Sequence, residues 1–185
     1  MLLRLQSVGL PCAFATQIDC YVPFDIQFAG SSTSADELFY WRTVGQRHLL
    51  EIKVAASTGA LCGVSCILAP REWTRRVESV LTSDGRAVER CEGVPIMDIA
   101  PWAMRLEGRS IGVDRALLRI DEEVPFVFAI GRDGISVRFE GPPEAQVVAD
   151  GDLNVLFTSD GFLSGFVLLG LSEAELKLLG ECYAP

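Results

Sequence analysis

Apolar and polar residues alternate with a period of two along much of this chain. Phe24, Ile26 and Phe28 form one such run, and Phe126, Phe128 and Ile130 form another. This is the signature of a half-buried strand. Gly131-Arg132-Asp133-Gly134 then turns the second run into Ile135–Phe139, predicting a hairpin. In the first, the longer Gly30–Asp36 loop leads to Leu38–Val44 instead. Two further hairpins are predicted, Leu49–Ala56 with Ala60–Leu68 and Leu153–Thr158 with Phe162–Leu169. Asp160-Gly161 suits the tight turn of the latter, because glycine reaches positive φ without steric cost. The pattern changes near position 171. Ser172 and Glu175 form a capping box and Gly180 offers a stop, predicting a helix over 171–180. Pro70, Glu72 and the spacing of Trp73, Val77, Val80 and Leu81 predict another over 70–81, with a strand as the alternative.

Two motifs recur at one offset. Ile18-Asp19-Cys20-Tyr21-Val22-Pro23-Phe24 matches Ile120-Asp121-Glu122-Glu123-Val124-Pro125-Phe126, 102 residues later. The frame Ser-x-Gly-x-Leu-x-Gly occurs at Ser57–Gly63 and at Ser159–Gly165, also 102 residues apart. A shared offset points to two related units, 1–92 and 93–185, each ββββα. The expected fold is α+β and mainly antiparallel, with the two units packed as one pseudo-symmetric body around a shared core. The copies differ at the second hairpin, where Asp160 replaces Thr58 and Phe162 replaces Ala60. Between the units, Gly93–Trp102 is too apolar for a solvated linker and is expected to pack as an extended strap.

The chain has 185 residues, 49% of them hydrophobic, but no apolar run long enough for a membrane helix. Arg4 and Ala13-Phe14-Ala15 imitate a secretory signal, but Gln6, Ser7, Gly9 and Pro11 interrupt its apolar region. The expectation is a cytoplasmic protein. The six cysteines (12, 20, 62, 66, 91 and 182) form no CxxC pair, and His48 is the sole histidine. Cys62 and Cys66 would stand about 13 Å apart on a strand. No metal site or cofactor is expected.

Charge is unevenly placed. The net charge of −9 divides into −1 for residues 1–92 and −8 for residues 93–185. An acidic half argues against nucleic-acid binding, which needs a basic face. It suits a basic protein partner instead.

No arrangement of residues specifies a reaction. His48 lacks an identifiable nucleophile, Ser65 and Ser164 lie outside any Gly-x-Ser-x-Gly elbow, and no phosphate loop is present. Asp150-Gly151-Asp152-Leu153-Asn154 begins like a calcium loop, but Val155 and Gly161 stand where its glycine and closing glutamate belong. Asp19 and Asp121 recur between the units and are expected to serve turns or caps. Glu122 and Glu123 occur only in the second unit and, on extended chain, face opposite ways. Arg71, Arg75 and Arg76 are expected to line an exposed helix face.

These features favour a non-enzymatic interaction protein, such as a bacterial immunity-type inhibitor that binds a basic partner through its acidic second unit. The candidate partner-binding residues are Glu122, Glu123, Asp150, Asp152 and Trp102. The alternatives are a small-molecule-binding domain using the crevice between units, or an enzyme built on Glu122, Glu123 or His48.

Overall fold

The computed structural model describes residues 3–29, 37–45, 48–69, 71–81, 88–106, 118–142 and 144–183, with Arg105 and Leu106 described by backbone alone. In chain order the first strands are β1 (Leu5–Val8), β2 (Phe14–Gln17), β3 (Phe24–Phe28), β4 (Leu38–Val44), β5 (Leu49–Ala55) and β6 (Leu61–Leu68). After them come β7 (Thr74–Arg76), β8 (Glu89–Glu92), β9 (Pro95–Met97), helix α1 (Ala100–Leu106) and β10 (Arg119–Glu122). The remainder is β11 (Phe126–Ile130), β12 (Gly134–Phe139), β13 (Glu144–Asp150), β14 (Leu153–Thr158), β15 (Leu163–Leu169) and helix α2 (Glu173–Cys182).

The protein is mostly β and rich in antiparallel pairs. β1 and β9 pair as a two-stranded sheet; of the two larger sheets, one has the order β10-β4-β5-β6-β3-β2 and the other β7-β11-β12-β15-β14-β13-β8. Their apolar faces meet in one core that draws residues from both halves of the chain. Trp41 of the first sheet meets Phe139 of the second edge-on at 5.7 Å, and Phe24 approaches Phe128 at 6.3 Å. Strands also cross between halves. β7 and β8 join the second sheet in parallel with β11 and β13, while β10 joins the first in parallel with β4. A division at residue 92 therefore assigns β7, β8 and β10 away from the sheets in which they lie.

Both sheets contain a hairpin followed by a three-stranded meander, with the meander's last strand beside the hairpin's second. This gives β4-β5-β6-β3-β2 in one and β13-β14-β15-β12-β11 in the other. The glycine frame falls at matching places. Gly59 and Gly161 both have φ +76, in the β5–β6 and β14–β15 turns. Gly63 and Gly165 lie in β6 and β15, where a Cβ would sit 2.8 Å from the Ile26 carbonyl and 2.2 Å from that of Val137. These are the close backbone approaches that only glycine permits.

The other recurring motif does not match in this way. Phe24 opens β3, the second strand of its hairpin, whereas Phe126 opens β11, the first strand of its own. Gln27 of β3 stands opposite Gly63, but the residue opposite Gly165 is Arg138 of β12. The shared offset of the Val-Pro-Phe motif thus relates strands with different neighbours.

Three further expectations are corrected. The segment predicted as a helix over 70–81 forms a 3-10 turn at Arg71–Trp73 and then β7, with Pro70 outside the described residues. Its apolar spacing fits a helix, but hydrogen bonding to the open edge of β11 prevails, as tertiary context overrides local pattern. The Gly93–Trp102 strap is extended only at β9 and then enters α1. α2 has its capping box as predicted but runs through Gly180 to Cys182. Gly180 instead leaves room for Arg76, whose guanidinium would lie 2.7 Å from an added Cβ. The Gly30–Asp36 loop lies outside the described residues.

Candidate functional site

The β14–β15 turn is built by local bonds. Phe162 N–H donates to Thr158 Oγ1 at 3.2 Å, and Gly161 N–H to the Thr158 carbonyl at 2.9 Å. β1 braces one side of it: Leu5 N–H donates to the Gly161 carbonyl at 2.8 Å and Leu163 N–H to that of Leu3 at 3.0 Å. Arg4 Nε donates to the Asp160 carbonyl at 3.1 Å, and its guanidinium lies 5.8 Å from the centre of the Phe162 ring. The β5–β6 turn is braced likewise by β9, since Met97 N–H donates to the Gly59 carbonyl at 2.7 Å.

A groove of about 380 Å³ opens between this braced turn, the Phe139–Pro142 end of β12 and its loop, and Val124. Phe139, Pro142, Phe162 and Leu163 give it apolar walls, and the residues Glu140 and Asp160 give it two carboxylates. Neither carboxylate forms an ion pair with a described residue. Ser164 also lines the groove; its residue is 8% exposed, and its Oγ is buried without a hydrogen-bond partner among the described residues. Phe162 is 39% exposed. Both residues that distinguish this turn from the β5–β6 turn, Asp160 and Phe162, line the groove. An apolar cleft with a few polar groups can seat an aliphatic or aromatic stem and fix the polar head attached to it.

The structure separates the sequence-predicted residues. Glu123 is exposed and Glu122 half-buried, next to the Val124 wall of the groove. Glu122 Oε2 is buried without a hydrogen-bond partner among the described residues. Val124 itself is pinned by Thr43, whose hydroxyl donates to its carbonyl and accepts from its N–H at 3.1 Å. Asp150 and Asp152 are at the other end of β13, about 20 Å away along the strand. Asp150 Oδ2 accepts the Cys12 N–H at 3.1 Å. Asp152 packs beneath the turn at Gly170, whose φ is +69. Trp102 is 1% exposed and stacks on Phe39 with ring centres 5.2 Å apart. It is a core residue and presents no surface to a partner, which corrects its place among the binding candidates.

The other singled-out residues have structural partners. Asp19 Oδ1 accepts the N–H groups of Tyr21 and Val22, each at 2.6 Å, and these bonds hold its carboxyl below the usual range. Asp121 makes a two-pronged ion pair with Arg42 instead of serving a turn. His48 is buried, its ring 5.0 Å from Trp73 and 5.6 Å from Phe126. Burial lowers its pKa, opposed by the charge of Glu123. Arg71 and Arg76 donate to the carbonyls of Cys182 and Gly180, both at 3.1 Å, satisfying the end of α2. No cluster of three metal-binding side chains occurs among the described residues. None of the described helices is long and apolar enough to cross a membrane.

Glu140, Pro142 and Ser164 were not among the sequence candidates. The Gly141-Pro142 pair marks a loop, but sequence alone does not bring that loop to the β14–β15 turn. Ser164 is hidden within an apolar strand. Comparison of the chain with protein-family profiles and with curated proteins finds no match.

Proposed function

We propose that this chain is a non-enzymatic interaction protein that binds a basic partner, in the manner of an immunity-type inhibitor, through the acidic groove of its second sheet. The observation that carries this reading is the pair of carboxylates, Glu140 and Asp160, at the edge of an apolar cleft and without ion-pair partners among the described residues. A lysine or arginine side chain matches such a site at both ends: its stem packs on the exposed Pro142 and Phe162, and its charged head meets the carboxylates. Arg4 supplies a local precedent, with its guanidinium over the outer ring of Phe162. The excess of carboxylates in the second half of the chain would attract a basic surface from a distance.

A calorimetric titration with an arginine tripeptide amide and a glutamate tripeptide amide tests the proposal. The arginine peptide is expected to bind, more weakly as salt rises, and to lose at least tenfold affinity in Glu140→Gln/Asp160→Asn. Equal or absent binding of the two peptides would overturn it. The buried Ser164 Oγ favours a second reading, a small polar ligand seated at the groove floor. Binding of a neutral molecule, insensitive to salt but lost in Ser164→Ala, would select that reading.

We also infer that the two sheets descend from duplication of one five-stranded unit. Support comes from the shared order β4-β5-β6-β3-β2 and β13-β14-β15-β12-β11 and from the paired glycines. Divergence between the copies bears on the groove directly: Asp160 and Phe162, which replace Thr58 and Ala60, line it.

A further inference from the structure

The chain that braces the β14–β15 turn carries a cation, and the chain that braces the β5–β6 turn does not. Arg4, just before β1, bridges Phe162 in antiparallel fashion, and Ile96 of β9 bridges Ala60 in the same way. The backbone support is equivalent at the two turns. Leu5 N–H donates to the Gly161 carbonyl at 2.8 Å, and Met97 N–H to the Gly59 carbonyl at 2.7 Å. Bracing therefore calls for no guanidinium, since Ile96 holds the corresponding place beside the other turn. Arg4, Asp160 and Phe162 gather at one turn, where Ile96, Thr58 and Ala60 stand at the other.

Arg4 is exposed, and among the described residues only its Nε has a hydrogen-bond acceptor, the Asp160 carbonyl at 3.1 Å. The four N–H groups on Nη1 and Nη2 remain for a ligand. The guanidinium lies 5.8 Å from the centre of the Phe162 ring, within the range at which a cation is held by an aromatic face. It forms no ion pair with the Asp160 carboxylate, so both charges stay open. Phe162 is at the same time a wall of the groove, together with Glu140, Asp160 and the unpaired, 8% exposed Ser164. Charges of both signs thus surround one exposed ring.

We infer that Arg4 and the groove carboxylates form a single mixed-charge recognition site, whose ligand is an extended partner segment with a basic residue and, two positions away, an acidic one. This rests on the groove reading proposed above and adds what must stand beside the basic residue. The basic side chain enters the groove, and the acidic side chain accepts two N–H bonds from the free edge of Arg4. On an extended segment, residues two apart project to the same side and stand about 6.6 Å apart. That spacing is comparable with the 5.8 Å between the Arg4 guanidinium and the ring that the segment straddles. A basic residue at the second position would instead face Arg4 and be repelled, so the site selects against uniformly basic segments.

The test is a calorimetric titration of the full chain with four tripeptides, all acetylated and amidated: Arg-Ala-Glu, Glu-Ala-Arg, and their glutamine counterparts Arg-Ala-Gln and Gln-Ala-Arg. In one of the two orders, the glutamate peptide is expected to bind about threefold to fivefold tighter than its glutamine counterpart, as an exposed ion pair would give. Arg4→Gln should remove this difference, and Arg4→Lys, which keeps the charge, should retain it. Equal affinities in both orders would overturn the inference, as would a preference that survives Arg4→Gln or disappears in Arg4→Lys. Binding of the glutamine peptides keeps the groove reading standing when the Arg4 contact fails. If none of the four peptides binds, the groove reading falls and this inference falls with it.

Discussion

Gly59 and Gly161 adopt the same backbone angle in different surroundings. A Cβ at Gly59 would lie 2.4 Å from the Met97 carbonyl, whereas at Gly161 the nearest heavy atom would be 3.7 Å away. Gly161→Ala should therefore carry only the left-handed penalty, about 1–2 kcal/mol. Gly59→Ala should cost more, roughly 3 kcal/mol or above, because β9 must also shift. Urea unfolding of both variants checks this, and equal costs would mean that β9 does not sit on the β5–β6 turn. His48 gives a second prediction at this scale. Its pKa is lowered in the folded state by burial, opposed by Glu123, and the unfolded chain takes up its proton near the ordinary value of about 6.5. As pH falls below that value the unfolded state binds the proton first, so stability should decline until the lowered folded pKa is passed. Above it, His48 contributes no slope. His48→Phe should flatten the decline in Tm between pH 7.5 and 5, and an unchanged profile would contradict the burial argument.

At the scale of elements, legibility followed the range of the interactions. β3, β4 and β11 were read at their observed bounds, because period-two alternation records which face is buried. The β11–β12 and β14–β15 turns were legible because Asp-Gly and Gly-x-x-Gly chemistry is local. β7, β8 and β10 were not, since each is a short piece stabilised by a parallel neighbour far away in sequence, an interaction without a local signature. The groove was missed for the same reason: the sequence marks Asp160 as a difference between the copies but does not point to Glu140, and only the sheet order brings the two to one cleft. The capping box of α2 was legible and is quantitatively testable. Ser172→Ala removes the Ser172 hydroxyl that accepts the Glu175 N–H at 3.3 Å and should cost about 1 kcal/mol in urea unfolding. No measurable loss would mean that α2 is fixed by packing and by Arg71 and Arg76 alone.

For the whole molecule, strand exchange makes the two halves interdependent. β10 completes the first sheet, and β7 and β8 complete the second. A fragment covering residues 1–92 would lack β10 and leave the paired face of β4 open, while its own β7 and β8 would have no sheet to join. Expressed alone, it should lack the cooperative thermal transition of the full chain. A sharp two-state melt of that fragment would refute the interdependence.

The central functional claim concerns location as well as charge, and chemical-shift mapping addresses both together. On titration of the labelled protein with an arginine tripeptide amide at low salt, the amides of residues 139–141 and 158–164 should shift along a saturable curve. Those around Asp150 and Asp152, at the far end of β13, should remain still, and Glu140→Gln/Asp160→Asn should abolish the shifts. Saturable shifts centred on Asp150 and Asp152, or none at the groove, would contradict the account.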